Sequence, residues 1–516
     1  MDLRGGAANL AELFESGVAT EPDLPALVQD GLSTSFGEWW ADSSLVASGL
    51  TELGVHAGDL VLLLLPSGRD FITCYLAALR VGATVSAVNP RLGPTEIAHI
   101  VDRSRPSVIV TDTCERVRDL AQCPVRTPDS IHGNPGAAPS IEGWAPVSPD
   151  SAAVVVWTTG STGKPKGAWF DHTTLAFIAN NMGPLSRPYD RKLFPIPFAH
   201  AAYMTRIYDQ LLHRSTLVLT PAEWTADSML NVLAAERITV GQGVPTQWEK
   251  LIALPRLADT DLSHLRLVST GASRVPATLV EALHERLRCP VVVRYASTEV
   301  PLAFGTRVGD PMETITSTVG RPLGAAEVEI RGGDGRVLPA GEIGRVFLRS
   351  HAQMRGYWRD SERTAETISP EGWLATSDLG RLDTAGNLSI VGRADDAYIR
   401  GGYNIYPSEI ETVLAAHPAV ARAAVVGTSA PVIGEIGVAF IVLEDQRHHA
   451  VTETDLRTWC RDRIADYKVP DSVVFVEDLP VNATYKVDVG RLRAMAATLT
   501  AERRRSATAD RSLLGR

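Results

Sequence analysis

The stretch from Trp157 to Gly167, WTTGSTGKPKG, has the composition of a loop that binds phosphate groups. Its glycines, which allow tight turns that present backbone N–H groups to a ligand, are Gly160, Gly163 and Gly167. Side chains that donate hydrogen bonds lie between them, namely Thr158, Thr159, Ser161, Thr162 and Lys166. A flexible surface turn is the alternative. We expect a phosphate site, because the apolar run directly before the loop predicts a strand that would hold it in place.

The spacing of this loop differs from that of the Walker A motif. In that motif Ser or Thr follows Gly-Lys directly, whereas Pro165 follows Gly163-Lys164 here. A P-loop ATPase or kinase is therefore the weakest alternative.

The elements that must position the loop follow an alternating pattern from about residue 35 to 295. Apolar runs predict strands at Leu60–Leu65, Ser107–Thr111, Ala152–Trp157, Thr216–Leu219, Leu265–Val268 and Val291–Arg294. Between them, Phe71–Val81 and Ala277–Leu287 have helical periodicity. This alternation is typical of parallel sheets covered by helices, so we expect an α/β fold.

The rest of the chain has a different pattern of predicted secondary structure. A β-rich region with glycine-containing turns extends from about residue 316 to 392, and a smaller α+β unit follows to about residue 495. Residues 501–516 are polar and basic, and we expect a flexible tail there. A chain of 516 residues exceeds the usual size of one hydrophobic core, which predicts at least two domains.

Charge and cysteine content limit the partners and the compartment. The net charge of −10 argues against nucleic-acid binding, which needs a basic face. Five scattered cysteines without a CxxC pair are typical of reduced thiols in a cytoplasm. The first residues lack the apolar core of a secretory signal. The densest apolar run, Leu60–Pro66, is too short to span a bilayer, so we expect no membrane anchor.

The loop at Trp157–Gly167 resembles the signature loop of the adenylate-forming superfamily. That superfamily includes acyl-CoA synthetases, aryl-CoA ligases, luciferases and the adenylation domains of peptide synthetases. Further segments that resemble family motifs follow in the family's order, at Pro197–His200, Thr270–Ala272, Tyr295–Glu299, Thr376–Asp378, Gly392–Asp396, Gly401–Glu409 and Pro480–Lys486. The resemblance covers nearly the whole chain. It implies a large N-terminal domain at 1–394, a hinge at Asp395 and a small mobile C-terminal domain at 396–500.

The resemblance also implies an acid–CoA ligase that uses ATP, Mg²⁺ and coenzyme A. Such an enzyme first joins the acid to AMP and then transfers the acyl group to the thiol of coenzyme A. The C-terminal domain rotates between the two half-reactions. Lys486 would stabilise the charge that develops in the first of them, at the α-phosphate.

Most of the nucleotide-binding residues are also assigned by resemblance. Tyr295 would flank the adenine, Thr298 would contact phosphate, and Glu299 would hold Mg²⁺. Asp378 would accept hydrogen bonds from the ribose hydroxyls, and Arg393 would contact ribose or phosphate. The remaining nucleotide contacts would come from Gly271, Ala272, Ala296, Ser297 and the loop residues named above. Coenzyme A would meet Gly401 and Gly402 along its pantetheine arm, and Arg91 and Tyr467 at its nucleotide end.

The candidate acyl pocket is apolar. His200 resembles the residue that gates the substrate carboxylate. Other candidates are Ala201, Ala202, Tyr203, Met204, Trp248, Tyr295 and Ala303. No Asp or Lys is placed to bind a substrate amine, so a bulky apolar acid fits better than an amino acid. A peptide-synthetase adenylation domain is disfavoured for the same reason.

Three positions depart from the family pattern. Ala296, Ser377 and Tyr485 stand where glycine is usual. Added bulk or restricted dihedral angles beside the nucleotide could weaken adenylation. One alternative is therefore an enzyme that mainly converts a preformed acyl-adenylate, supplied by a separate adenylating partner, to the thioester. A luciferase-like oxygenase and a non-catalytic nucleotide-binding relative are further alternatives, and a homodimer stays open.

Overall fold

The computed structural model describes residues 18, 20–133, 147–158, 164–401, 403–431, 433–444, 451–482 and 485–514. Contacts divide the chain into two compact units. The first comprises Met1–Val328, Phe347–Ala375 and Gly386–Leu388. The second comprises Glu329–Val346, Thr376–Ala385 and Ser389–Arg516.

The strands up to residue 322 belong to the first unit. They are β1 (Pro25–Gln29), β2 (Leu32–Ser35), β3 (Leu60–Leu64), β4 (Thr84–Ala87), β5 (Val108–Thr111), β6 (Val125–Arg126), β7 (Ala152–Thr158), β8 (Lys166–Asp171), β9 (Arg191–Phe194), β10 (Thr216–Leu219), β11 (Val240–Gly243), β12 (Leu267–Gly271), β13 (Val291–Tyr295), β14 (Phe304–Gly305) and β15 (Arg321–Pro322). The later strands are β16 (Glu327–Arg331), β17 (Gly344–Arg349), β18 (Gly356–Tyr357), β19 (Leu374–Leu382), β20 (Leu388–Arg393), β21 (Tyr398–Arg400), β22 (Tyr403–Ile405), β23 (Val420–Ala430), β24 (Gly434–Leu443) and β25 (Ser472–Phe475).

The helices lie mostly between the strands. They are α1 (Phe36–Glu52), α2 (Arg69–Arg80), α3 (Pro94–Ser104), α4 (His172–Asn180), α5 (Ala201–Met204), α6 (Ile207–His213), α7 (Ala226–Ala235), α8 (Pro245–Ile252), α9 (Ala277–Leu287), α10 (Met312–Ser317), α11 (Ser361–Thr367), α12 (Pro407–Ala415), α13 (Glu453–Arg461) and α14 (Val489–Leu514). None of those helices, within the part of the chain that is described, is long and apolar enough to cross a membrane.

Two large sheets form the first unit. One has seven strands in the order β18-β8-β7-β4-β3-β5-β6, and the other has nine in the order β15-β14-β13-β12-β11-β9-β10-β1-β2. The strands β9 to β13 pair in parallel. Every residue of β3 and β5 is buried. This is expected for parallel strands, because helices cover both faces of such a sheet. The predicted α/β fold class is confirmed.

The local sequence explains several helix boundaries. Ser35 caps α1 by accepting a hydrogen bond from the backbone N–H of Glu38, and the Glu38 side chain accepts one from the backbone N–H of Ser35. Helix α3 begins with Pro94, whose fixed φ suits the first helical position. Helix α9 ends before Arg288, which has a φ of +53° and cannot continue the helix.

The second unit contains a separate sheet with the strand order β22-β21-β24-β23, to which β25 adds by pairing with β24. Helices α12 and α13 pack on one hydrophobic cluster of this sheet, which includes Ile410, Leu414 and Leu456. Helix α14 packs on another cluster through Leu492 and Ala496. A further sheet, β16-β17-β19-β20, has four strands.

Two observations bear on the predicted domain organisation, whose bounds stay predictions. Residues 501–514 continue helix α14, because Arg491–Leu514 contains neither Pro nor Gly and is rich in Ala and Arg. The boundary of the compact units does not fall at residue 394, since parts of the β-rich region belong to the second unit. The hinge at Asp395 stays a prediction.

Candidate active site

The phosphate-loop candidate connects two antiparallel strands of the seven-stranded sheet. Thr158 at the end of β7 faces Lys166 at the start of β8, and Trp157 faces Gly167. The predicted loop residues Thr159, Gly160, Ser161, Thr162 and Gly163 lie outside the described residues. The Thr158 hydroxyl is buried and has no hydrogen-bond partner in the described part of the chain. Because a buried hydroxyl is normally satisfied, this one is suited to a ligand atom.

Glu299 and Lys166 lie on either side of one tyrosine. The Tyr357 hydroxyl donates a hydrogen bond of 2.9 Å to Oε1 of Glu299. Lys166 Nζ lies 5.5 Å from the centroid of the same ring. Tyr357 reaches this position because β18 pairs with β8, with Tyr357 opposite Ala168. The cluster places a carboxylate and an ammonium group beside the base of the candidate phosphate loop.

Burial and the neighbouring carboxylate raise the pKa of Tyr357. Its hydroxyl therefore stays protonated and donates a hydrogen bond to the carboxyl group of Glu299. A carboxylate beside phosphate-binding groups suits Mg²⁺, which is typically held by one or two carboxylates and by phosphate oxygens. Glu299 would hold the ion, and its backbone is fixed by the Met354 N–H, which donates to the Glu299 carbonyl at 2.7 Å.

The carboxyl ends of β12 and β13 meet at one edge of the nine-stranded sheet. Gly271 lies opposite Arg294 in the parallel register. A Cβ atom at Gly271 would lie 2.1 Å from the Arg294 carbonyl oxygen, so no larger residue fits there. Ala272 follows with a φ of +64°. A residue other than glycine in this conformation marks local strain, of the kind that occurs at ligand sites.

Tyr295 ends β13 at this edge, and its ring packs against the edge of Phe304 at 6.1 Å. The Thr270 hydroxyl is buried and lacks a hydrogen-bond partner among the described residues. Strand β13 leads into a turn in which the Val300 N–H donates to Ser297 Oγ at 3.1 Å. That turn carries Ala296, Ser297, Thr298 and Glu299, so four sequence-predicted residues share one short segment.

The candidate acyl residues surround helix α5. His200 caps this helix, and its Nδ1 accepts a hydrogen bond of 3.1 Å from the backbone N–H of Ala202. Its proton at neutral charge is therefore on Nε2. Tyr203 is buried and stacks on Phe198 with a centroid distance of 3.9 Å, and its hydroxyl has no partner among the described residues. Ala201, Met204 and Ala303 are buried as well.

Trp248 lies deeper than the other acyl candidates. It belongs to the hydrophobic core cluster beneath the nine-stranded sheet. Its indole N–H donates to the Ser269 carbonyl at 3.2 Å. A Cβ atom at Gly243 would lie 2.9 Å from the indole nitrogen, so the ring packs directly on the end of β11. Its contact with substrate stays a prediction.

In the second unit, three charged candidates lie together. Arg393 at the end of β20 places Nε 3.8 Å from Asp378 Oδ1 and Nη2 3.7 Å from Asp395 Oδ2. Burial and the charge of Arg393 lower the pKa of Lys486. The predicted ribose ligand, hinge residue and catalytic lysine of this unit are thus grouped around one guanidinium.

The candidate coenzyme A residues are found in both units. In the second, Gly401 has a φ of +57° and donates to the Ile433 carbonyl at 2.8 Å, and Gly402 lies outside the described residues. Tyr467 stacks on Tyr403 with a centroid distance of 4.4 Å, and both rings are exposed. In the first unit, Arg91 donates to the Ala222 carbonyl at 3.2 Å.

The three positions that depart from the family pattern differ in backbone conformation. Tyr485 has a φ of +60°, the left-handed conformation that favours glycine. Ala296 and Ser377 are not among the residues with positive φ. Restricted dihedral angles are therefore no obstacle at Ala296 and Ser377, and only their added bulk remains.

Tyr485 gives a stability prediction. Because L-residues other than glycine pay about 1–2 kcal/mol for the left-handed conformation, Tyr485→Gly should be more stable than Tyr485→Ala by about 1 kcal/mol. The order is the reverse of the usual preference, since glycine normally destabilises relative to alanine. Urea denaturation of the two variants would measure the difference. A Tyr485→Ala variant that is the more stable of the two would contradict the strained conformation.

Sequence reasoning missed Tyr357, which joins Glu299 to Lys166. Its signal is weak, because a tyrosine in a Gly-Tyr pair is common and only the pairing of β18 with β8 brings it to the site. It also missed Arg206 and Arg294, although each stands next to a predicted motif. An arginine inside an otherwise apolar strand such as VVVRY was the available signal.

The comparisons with known proteins concern nearly the whole chain. Residues 14–358 match the AMP-binding enzyme family, and residues 409–486 match the AMP-binding enzyme C-terminal domain. The chain is 32% identical over 482 residues to 3-[(3aS,4S,7aS)-7a-methyl-1,5-dioxo-octahydro-1H-inden-4-yl]propanoyl:CoA ligase of Rhodococcus jostii (strain RHA1), with 87% of this chain and 91% of that protein covered.

Two solved structures are similar over a comparable length. ATP-bound MatB from Rhodopseudomonas palustris has a TM-score of 0.85 at 27% identity, covering 94% of this chain and 98% of that one. The amide bond synthetase McbA from Marinactinospora thermotolerans has a TM-score of 0.83 at 30% identity, covering 94% and 99%. The two family matches and the ordered motifs identify this chain as an AMP-binding enzyme of the adenylate-forming superfamily.

Proposed function

We propose that this enzyme is an AMP-forming acid–CoA ligase. It joins a carboxylic acid to AMP, with release of pyrophosphate, and then transfers the acyl group to the thiol of coenzyme A with release of AMP. The observation that carries the proposal is the cluster of Glu299, Tyr357 and Lys166 beside Thr158, whose buried hydroxyl has no hydrogen-bond partner among the described residues. This set provides a metal-binding carboxylate and phosphate-binding donors within one site of the first unit.

In the first half-reaction, a carboxylate oxygen attacks the α-phosphorus and the bond to pyrophosphate breaks. Lys166 and the Thr158 hydroxyl contact phosphate oxygens, and Thr298 donates to the α-phosphate. The carboxylate of Glu299 would hold Mg²⁺, which would neutralise phosphate charge when bound. The residues of this chain act mainly by positioning and by electrostatic stabilisation, as is usual in phosphoryl-group chemistry.

Lys486 acts in this step, and the segment at Gly401 and Gly402 acts in the next. The ammonium group of Lys486 stabilises negative charge at the α-phosphate as the new bond forms. Rotation at Asp395 then withdraws Lys486 and brings Gly401 and Gly402 to the pantetheine arm of coenzyme A. The support for this alternation is the family resemblance and the grouping of Asp395 and Lys486 around Arg393.

The acid has a bulky apolar body. Buried apolar side chains on and beside α5 support this choice. The ring of Trp248 would close the far end of the acyl pocket. The Rhodococcus relative is named for a bicyclic propanoyl group, which is also bulky. Candidate substrates are therefore alicyclic, polycyclic and fatty acids.

The acyl acceptor decides between two products. One relative is named an amide bond synthetase, so an amine is the alternative acceptor. The test offers a panel of apolar acids with ATP and Mg²⁺, in parallel with coenzyme A and with a simple primary amine, and identifies products by mass spectrometry. We expect the thioester. Amide without thioester would overturn the ligase assignment, and light with oxygen consumption would favour a luciferase-like oxygenase.

The alternative enzyme, which thioesterifies a preformed adenylate, has a direct test. If Ala296 and Ser377 weakened adenylation, replacing both with Gly should raise acid-dependent pyrophosphate release strongly. Because neither residue has a positive φ, we expect the double variant to stay within about threefold of the wild type. A rise of about tenfold or more would favour the thioesterifying enzyme and a separate adenylating partner.

A further inference from the structure

Strand β13 carries an arginine, Arg294, whose guanidinium group is buried. The three guanidinium nitrogens of Arg294 are buried, and none has a hydrogen-bond partner among the residues that the structure describes. Burial and the positive charge of Arg206 lower the pKa of Arg294 to about 10, so the group is still a cation at neutral pH. Since an unpaired buried charge strongly destabilises a fold, its retention here indicates a ligand of opposite charge.

A second arginine shares this region. Arg206 follows α5, and its Nη2 donates to the Pro301 carbonyl at 2.9 Å. Burial lowers its pKa to about 10 as well. The acid that partly offsets its charge, Asp209, is already paired with Lys192 at 2.7 Å. The two guanidinium groups therefore leave an excess of positive charge in a buried place.

The position of the pair is among the candidate acyl residues. In the antiparallel register Arg294 lies opposite Gly305, where a Cβ atom would lie 1.8 Å from Nη1. Glycine thus leaves the room that the guanidinium occupies across β14. Pro301, which accepts from Arg206, is two residues before the acyl candidate Ala303.

The pair is separated from the reacting carboxylate. His200 caps the first end of α5, whereas Arg206 follows its last end, and four helical residues rise about 6 Å. Arg294 also points to the face of β13 opposite to that of Tyr295, because successive side chains alternate along a strand. An anion held by the two arginines would be at the far end of the acid.

We propose that Arg206 and Arg294 bind a second carboxylate of the substrate, so that the acid is a dicarboxylic acid with an apolar body. This inference rests on the proposed acid–CoA ligase activity, and it changes the expected substrate from a wholly apolar acid to one with an anionic end. Guanidinium groups suit this role, since their paired N–H donors match the two oxygens of a carboxylate.

The test uses matched acids that differ only at the far end, 3-phenylpropanoic acid and 3-(4-carboxyphenyl)propanoic acid. Binding to the full-length enzyme is measured by calorimetry, and thioester formation is measured with ATP, Mg²⁺ and coenzyme A. The variant is Arg294→Met, which removes the charge and keeps much of the bulk. Arg336→Met, at an exposed arginine, is the control.

We expect the wild type to bind the diacid more tightly, and Arg294→Met to lose about 10- to 100-fold in diacid affinity while keeping its affinity for the monoacid. The variant should also unfold at the same or a higher temperature without ligand, because it loses an unpaired buried charge. An equal loss for both acids would assign Arg294 to the reacting carboxylate and overturn the proposal. Unchanged diacid binding would overturn it too.

The calorimetric binding measurement distinguishes a failure of this inference from a failure of the ligase assignment. Diacid binding that depends on Arg294, without thioester from either acid, would support the subsite and contradict the ligase. Thioester formed equally from both acids by both proteins would support the ligase and contradict the subsite.

Discussion

Replacing Lys486 with alanine is expected to reduce acid-dependent pyrophosphate release by about 100- to 1,000-fold, the usual effect of removing one group that stabilises transition-state charge. The same variant should convert a synthetic acyl-adenylate and coenzyme A to thioester within about threefold of the wild-type rate. The reason is that Lys486 serves only the step in which charge develops on the α-phosphate. Measuring both half-reactions on one preparation would test this, since a folding defect would lower both.

The pH dependence of the first half-reaction provides a second test of the role of Lys486. Burial and the charge of Arg393 lower the pKa of this lysine, so its ammonium group deprotonates at a lower pH than an ordinary lysine. Pyrophosphate release should therefore fall as the pH rises through the lowered pKa. Lys486→Arg should be slower, because a guanidinium is not a compact ammonium, and should lose the alkaline fall. An unchanged alkaline limb in Lys486→Arg would assign that titration to another group.

Glu299→Gln is expected to lower adenylation by about 100-fold and to raise the Mg²⁺ concentration needed for half-maximal rate. The amide keeps the shape and can still accept from Tyr357, but it loses the charge that binds a hard cation. Titration of the initial rate with Mg²⁺ would measure both effects.

Tyr357→Phe is the matched control for Glu299. It removes the 2.9 Å hydrogen bond and leaves the carboxylate in place, so a loss of about tenfold or less is expected. Equal Mg²⁺ requirements in the wild type and Glu299→Gln would contradict the metal-binding role. A larger loss in Tyr357→Phe than in Glu299→Gln would show that the tyrosine itself contacts the nucleotide.

Elements with clear local signals could be predicted from the sequence. Strand Thr216–Leu219 and helix Ala277–Leu287 have the predicted bounds. The strand predicted at Leu265–Val268 begins at Leu267 instead, because the Leu265 N–H closes a turn onto the Leu262 carbonyl. The polar and basic composition of residues 501–514 predicts a tail, whereas the absence of a helix breaker explains why their backbone continues α14.

The residues of the candidate site likewise fall into those that a local motif predicts and those that only the fold brings together. Residues within one motif, such as Tyr295 and Glu299, could be named from the sequence because their roles follow a local pattern. Contacts such as Tyr357 with Glu299, or the burial of Arg294 near Arg206, depend on strand pairing between distant segments. No local pattern contains that pairing. The conformation of Tyr485 likewise appears only in the backbone, where its φ is +60°.

The central claim is that one chain performs both half-reactions. The most direct test follows thioester formation by mass spectrometry along two routes. One route offers the acid with ATP, Mg²⁺ and coenzyme A, and the other offers the synthetic acyl-adenylate with coenzyme A alone. Our account predicts product from both routes, with product from the first abolished by Lys486→Ala. Product from the adenylate alone would contradict it and would leave a thioesterifying enzyme that depends on a separate adenylating partner.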